Sequence, residues 1–499
     1  MILLLAAILP VCSWCLAQGE VVYEIFVRSF QDSNGDGIGD LSGVTRRLDY
    51  LQELGVTGIW LMPIHPSPSY HGYDVTDYYA VNPDYGTLDD FERLVTAAHA
   101  RGIDVILDLV VNHTSDQHPW FKASAAGDSR YRDYYLWSDH DPGWRGLAGP
   151  AWHPRAGGYY LGLFWSGMPD LNYRNPAVVH EMRNVAKFWL DKGVDGFRID
   201  AIQHVVESAD GLIRNTPANL AWVKDFEVYL HSLYPDAYLI GETWTDTGTI
   251  AQYFRDAGLD MALDYPRYQA LIDGIVNRSL FDLAFTLQTE REELPPGVAL
   301  GTFISNHDQI RPVSRLGLLR PDPQRAKFAA GLLFTLPGTP FIYYGDEIGM
   351  PNGPNDDDED KRTPMRWDSS ASAGFTTGTP WHPFSTADPR VSVTAQAGDP
   401  NAMHGWYEAL IALRQANPAL AQGNMTLVEL PDEHLLAFRR QSREQTVLVV
   451  ANAGRRAKVV SLAALTGGLP AIDLLHENEA PNALSLAPLE LRVFELRRP

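Results

Sequence analysis

The segment GFRIDAIQH, residues 196–204, carries Arg198 and Asp200 two positions apart inside an apolar run. Side chains alternate along a strand, so Phe197, Ile199 and Ala201 share one face while Arg198 and Asp200 share the other. Taken alone, the pair reads either as a structural ion pair, whose desolvation offsets much of its attraction, or as part of a reactive site. Other apolar runs also end in polar groups. LIGETW presents Glu242, FISNHDQ presents His307 and Asp308, LDLVVNH presents Asn112 and His113, and YHGYDVTDY presents Tyr73 and Asp74. One such residue is explained as a helix cap, but several at the ends of successive strands are not. Asp200, Glu242 and Asp308 would then meet with two histidines in one hollow. Two carboxylates flanking a bond are what glycoside hydrolysis needs: one attacks or activates water, and the other, kept protonated, assists the leaving oxygen. Crowded negative charge raises a carboxyl pKa and so supplies the protonated partner, while Arg198 would hold the attacking carboxylate ionised. Sequence gives no distances, so inversion and retention both stay open.

Such a convergence requires a scaffold that brings strand ends to one rim. Eight strand-like runs occur, beginning at Val21, Thr57, Asp104, Gly193, Ala237, Leu259, Ala299 and Pro340. Amphipathic stretches such as LSGVTRRLDYLQELG, LDDFERLVTAAHARG and VVHEMRNVAKFWLDKG lie between them. Leu48, Leu51 and Leu54 recur at helical spacing with a glycine after them. Strand–helix alternation implies a parallel sheet, and eight units predict an α/β fold, a (β/α)8 TIM barrel whose reactive groups sit at the C-terminal strand ends. An open doubly wound sheet is the alternative, but no Gly-rich dinucleotide fingerprint follows the first strand. The stretch after the third strand is too long and too rich in Gly, Trp, Tyr and Asp for a plain loop, and reads as an inserted subdomain over the rim. From about Asn424, short β-like runs separated by turn residues predict a C-terminal antiparallel β-sandwich. The expected organisation is a barrel over residues 18–112 and 173–420, an insertion over 113–172 and the sandwich over 421–499.

With 499 residues, the chain exceeds one compact core. Its net charge of −22 repels nucleic acid phosphates and anionic membranes, so neither is expected as a partner. The first 17 residues resemble the apolar core of a secretory signal, which predicts a secreted or periplasmic protein. Both cysteines, Cys12 and Cys15, fall in that segment and would leave with it. No later run is apolar and long enough for a membrane helix, and a monomer is expected.

A separate stretch, DSNGDGIGD, spaces oxygens at Asp32, Asn34, Asp36 and Asp40, with Gly37 at the sharp turn and the Ile38 carbonyl inward. This follows the first nine positions of a calcium loop, although Gly43 at the twelfth rules out a true EF-hand. Without a metal the same residues make an Asx/Gly turn. The run NGPNDDDEDKRTPMRWD is acidic, then basic, and reads as a solvated loop.

The motifs GIWLMP, DLVVNH, MPDLN, GFRIDAIQH, GETW, FISNHD and GDEIGMP occur in this order. Together they resemble the alpha-amylase family, glycoside hydrolase family 13, over roughly residues 20 to 499. MPDLN is similar to the group intermediate between oligo-1,6-glucosidases and neopullulanases. The resemblance implies a retaining mechanism on α-linked glucose, with Asp200 as nucleophile, Glu242 as general acid/base and Asp308 as transition-state stabiliser. It implies substrate contacts from Tyr73, Asp74, His113, Arg198, His204, His307 and Arg362. It implies a structural Ca²⁺ in the Asp32–Asp40 loop, and by analogy a second ion held by Asn112, Asn172 and the His204 carbonyl. Ala201 after the nucleophile resembles enzymes that cut α-1,4 links, while Gln203 stands where many amylases carry Lys. RTPMRWD and GFTTGTPW look more like α-glucosidases. The expected activity is therefore an alpha-amylase on starch-like α-glucans and maltooligosaccharides; an exo-acting α-glucosidase or a trehalose-forming transglycosylase is the alternative.

Overall fold

A computed structural model describes residues 20–317, 320–355, 357–476, 478–479 and 481–497. The first 17 residues, read above as resembling a secretory signal, and both cysteines lie outside the described residues. Eight parallel strands close into a barrel: β1 (Val22–Ile25), β2 (Gly58–Leu61), β3 (Asp104–Val110), then β7 (Gly196–Asp200), β8 (Tyr238–Gly241), β9 (Met261–Leu263), β10 (Ala299–Phe303) and β11 (Thr339–Tyr343). Each strand pairs with its sequence neighbour in the barrel, and β1 pairs with β11 to close it. Helices cover the outside and side chains fill the inside, so these strands are buried on both faces and read as nearly unbroken apolar runs. The helix-period stretches fold as expected at their ends. Thr87 and Asp90 form a reciprocal capping box at the start of helix Leu88–His99. Leu48, Leu51 and Leu54 are buried, and Gly55 ends their helix at φ 91°.

Two local readings are corrected. The run from Val21 is a strand only to Ile25; Val27–Phe30 is a helical turn that buries Val27 and Phe30 at i, i+3 spacing. An apolar run cannot by itself distinguish these periods. LSGVTRRLDYLQELG forms two helices, Leu41–Arg46 and Leu48–Leu54, jointed at Arg47.

Between β3 and helix Pro176–Asp191 a small antiparallel sheet forms from β4 (Trp137–Ser138), β5 (Trp152–Arg155) and β6 (Gly158–Leu161). Its aromatics are core: Phe121 packs on Trp137 at 5.9 Å and on Tyr160 at 4.8 Å between ring centroids. The chain ends in a six-stranded antiparallel sheet, of which β12 (Asn424–Val428), β13 (Leu435–Gln441), β14 (Thr446–Asn452) and β19 (Glu490–Leu496) are neighbours, joined by β16 (Ala471–Asp473) and β17 (Asn478–Glu479). A separate pair, β15 (Lys458–Ser461) and β18 (Ala483–Leu486), packs over it. Central β14 is buried on both faces: Val447, Val449 and Ala451 join the barrel's core, whereas Leu448 and Val450 pack toward the β15–β18 pair. No helix among the described residues is long and apolar enough to cross a membrane.

Candidate active site

Residues at or just past the C-terminal strand ends surround a cavity of about 480 Å³ at one mouth of the barrel. Asp200 closes β7, Glu242 follows β8, and His307 and Asp308 stand in the loop after β10. The cavity walls include all four, together with Tyr73, His113, His204 and Arg362. The three carboxylates that lie far apart in sequence therefore meet.

The floor is built around Arg198, which is fully buried. Its Nη1 donates to Asp108 Oδ1 at 2.8 Å and to Asp200 Oδ1 at 2.8 Å, and its Nη2 lies 2.9 Å from Glu242 Oε1. The β3–β7 register sets Asp108 directly opposite Arg198. Asp108 is as anomalous within DVILDLV as Arg198 is within its own strand, and that signal was available in the sequence. The second Glu242 oxygen accepts the Ala201 N–H at 2.8 Å. Ala201 itself sits at φ 49°, a left-handed conformation uncommon outside glycine, so the chain bends sharply just after Asp200.

Charge in the site is balanced by burial and pairing. Burial pushes the Asp200 carboxyl well above its ordinary value, Arg198 pulls it down, and Glu242 and Asp108 raise it again. Asp308 behaves oppositely. Burial would raise it, but His307 and the guanidinium groups of Arg362 and Arg198 hold it well below the usual carboxylate range. His307 is disfavoured as a cation by burial, yet Asp308 and Glu24 push it up to about 10. Glu24, from β1, accepts at 2.6 Å from His307 Nδ1. The other ring nitrogen, Nε2, lies 2.7 Å from the Tyr73 hydroxyl, which also donates to Asp108 at 3.0 Å. Burial depresses His113 to about 3, so it is neutral here; its Nε2 lies 3.2 Å from the Tyr73 carbonyl and fixes that ring's loop.

Arg362 donates from Nη2 to Asp308 Oδ1 at 3.0 Å and from Nη1 to the Tyr70 hydroxyl at 3.0 Å. Asp74 is placed differently from expectation. It is buried behind the wall, accepts the hydroxyls of Ser67 and Ser69, and does not line the cavity. His204 lines it, with Nδ1 held 2.9 Å from the Ile213 carbonyl. Sequence reasoning missed Glu24, Asp108, His71, Tyr265 and the rim aromatics. Trp244, 51% exposed, stacks on Tyr265 at 4.8 Å and 10° beside Glu242, and Phe164 and Trp165 reach the cavity from the loop after β6. Flat apolar rings at a polar hollow suit the faces of sugar rings, which carry C–H groups.

The Asp32–Asp40 loop has hard oxygen donors suited by type to Ca²⁺. Asp32 accepts N–H groups of Asn34, Gly35 and Gly37 and the Thr376 hydroxyl. Those bonds outweigh burial and hold its carboxyl below the ordinary value. Asp36 accepts the Ile38 N–H, and Asp40 accepts those of Ser33 and Gly43. Asp32, Asp36 and Asp40 do not bring three oxygens within 4.8 Å of one another, so the donor set fits but the carboxylates would have to close inward. For the second ion, Asn172 is committed to the Asp133 carbonyl and the Arg174 N–H. Beside Asn112 the structure places Asp170 instead: fully buried, raised by that burial, with Oδ2 lacking a hydrogen-bond partner. Asp170 lies in the quoted MPDLN stretch, two residues before Asn172.

Comparison with known proteins gives concordant matches. The profile described as alpha amylase, catalytic domain, matches residues 24–423, and that of the maltogenic amylase C-terminal domain matches 425–497. Alpha-amylase 3 of Dictyoglomus thermophilum is 40% identical over 88% of this chain and 85% of its own. An oligo-1,6-glucosidase of Parageobacillus thermoglucosidasius is 34% identical over 96% of this chain and 98% of its own. The crystal structure of alpha-amylase from H. orenii superposes with a TM-score of 0.83 at 37% identity, covering 96% of this chain and all of that one.

Proposed function

Because the chain belongs to the alpha-amylase family of glycoside hydrolases, we propose that it cleaves α-1,4-glucosidic bonds in starch-like glucans and maltooligosaccharides with retention of configuration. The observation that carries this reading is the gathering of Asp200, Glu242 and Asp308 around one cavity with aromatic walls.

Asp200 is the nucleophile. Its Oδ1 is anchored by Arg198, which aims the carboxylate and opposes part of the effect of its burial. An Asp200 oxygen bonds to the anomeric carbon as the bond to the leaving sugar oxygen breaks, and Glu242 passes its proton to that oxygen. Glu242 then takes a proton from water, whose oxygen displaces Asp200 and frees the sugar. Glu242 rests on Arg198 and the Ala201 N–H. Asp308, kept ionised by His307 and Arg362, stabilises the positive charge that develops on the sugar ring. Tyr73 presents a ring face fixed by stacking on His307 at 5.4 Å. Bound Ca²⁺ would be held by Asp32, Asn34, Asp36, the Ile38 carbonyl and Asp40; it would supply fixed positive charge to a loop outside the reaction. A second ion would use Asn112, Asp170 and the His204 carbonyl.

The test is a time course on maltoheptaose and soluble starch, with NMR of the nascent reducing end. Mid-sized fragments of α configuration early in the reaction are expected. Glucose alone would establish the exo-α-glucosidase reading, an α,α-linked disaccharide the transglycosylase reading, and a β product would overturn retention.

A further inference from the structure

We propose that Asp357, Asp360 and His382 bind a divalent cation that accepts mixed nitrogen and oxygen ligands, such as Zn²⁺ or Mn²⁺, and that this ion fixes the segment carrying Asp358 and Arg362 at the cavity wall. Asp357 and Asp360 belong to the acidic run that reads in sequence as a solvated loop. Asp360 is instead completely buried. Its Oδ2 accepts the Asn355 N–H, while its Oδ1 has no hydrogen-bond partner. A carboxylate oxygen buried without a donor is costly unless something neutralises it.

That oxygen points into a three-ligand cluster. One ligand atom each from Asp357, Asp360 and His382 lies within 4.8 Å of the others. His382 Nε2 stands 3.6 Å from Asp360 Oδ1, too far for a hydrogen bond. Ligands bound tetrahedrally at about 2.1 Å stand roughly 3.4 Å apart, so the gap matches two ligands on one ion. The imidazole is also set for ligation. Its Nδ1 lies 3.0 Å from the Pro383 carbonyl, which orients a proton there and leaves the Nε2 lone pair facing Asp360. Two carboxylates and an imidazole suit zinc or manganese better than calcium, which takes oxygen ligands.

The coupling to the cavity is covalent and short. Asp360 lies in the turn Glu359–Lys361, and Arg362 follows it. Arg362 Nη2 reaches Asp308 at 3.0 Å and Asp358 at 3.1 Å. On the other side, the segment before His382 reaches the Asp32–Asp40 loop: the Trp381 N–H donates to the Gly37 carbonyl at 2.9 Å. The two loops are neighbours, so the experiment must tell their ions apart.

Metal-stripped full-length protein is titrated calorimetrically with Zn²⁺, and with Mn²⁺ followed by EPR, in 1 mM Ca²⁺. One ion per chain is expected to bind, at least about tenfold more weakly in Asp357→Asn and His382→Gln, but unchanged in Asp36→Ala. KM for maltooligosaccharide should fall on loading the native chain and not the Asp357→Asn variant. Asp357 is exposed and accepts the Asp360 N–H at 3.1 Å, a bond that Asn can also accept, and CD melting of every variant checks that the fold is kept. Absence of saturable binding, or unchanged binding in both Asp357→Asn and His382→Gln, overturns the site. Loss of binding in Asp36→Ala alone assigns the ion to the neighbouring loop and overturns it equally.

Discussion

At the residue scale, the site works because each charge is answered. Asp200→Asn should lower kcat on an activated α-glucoside by at least a thousandfold, about 4 kcal/mol in the barrier, with KM little changed; a loss within tenfold would remove Asp200 from the nucleophile role. Asp108 never lines the cavity, yet it takes two contacts from Arg198 Nη1. Asp108→Asn leaves buried positive charge less compensated, so a loss of about 3 kcal/mol in stability is expected from denaturant melts. The His307–Asp308 pair sets the pH window. His307 is raised from 6.5 to about 10, so its stabilisation is complete below about pH 6.5 and is lost as pH rises through about 10. Asp308 is depressed below 3.8, so its contribution is present above about pH 4 and is lost as pH falls below that. Glu24→Gln removes one of the two carboxylates on His307; the alkaline fall in thermal stability should then begin at lower pH, as a pH series of melts would show. An unshifted alkaline limb would mean that Glu24 does not hold His307 as a cation.

At the element scale, short loops decide where those residues stand. The Asp32–Asp40 loop turns at Gly37, whose φ is 94° and whose added Cβ would lie 1.8 Å from the Thr379 carbonyl oxygen. Gly37→Ala must therefore break the contact between this loop and residues 376–381, and a drop of several degrees in Tm is expected. Ca²⁺ added to dialysed protein should raise Tm, since an ion that binds only the folded state stabilises it by mass action. The rise should vanish in Asp36→Ala; the same rise in that variant would place the calcium elsewhere.

At the scale of the whole molecule, barrel and C-terminal sheet share a core. Phe438, Val447, Val449 and Val493 of the sheet pack into the same cluster as the barrel helices. Phe438→Ala should cost about 3–5 kcal/mol and shorten the half-life of activity on heating, without changing KM measured in the cold. A barrel stable to that change would show that the sheet is a passenger. Much of this organisation was legible in sequence. Periods of 2 and 3.6 and their alternation are local properties, so the eightfold strand–helix order and the polar groups at the strand ends could be read directly. The motif order then pointed to the three carboxylates that the structure gathers around one cavity. Lateral facts could not be read that way. That Asp108 faces Arg198 across β3 and β7, that Glu24 of β1 holds His307, and that Asp74 sits behind the wall instead of in it are set by strand register and barrel closure. The same holds for Asp360, buried although its neighbours in the chain are charged. A linear pattern fixes which face of an element a side chain takes, because backbone geometry repeats along the chain; which partner meets it is decided only when non-local packing brings distant elements together.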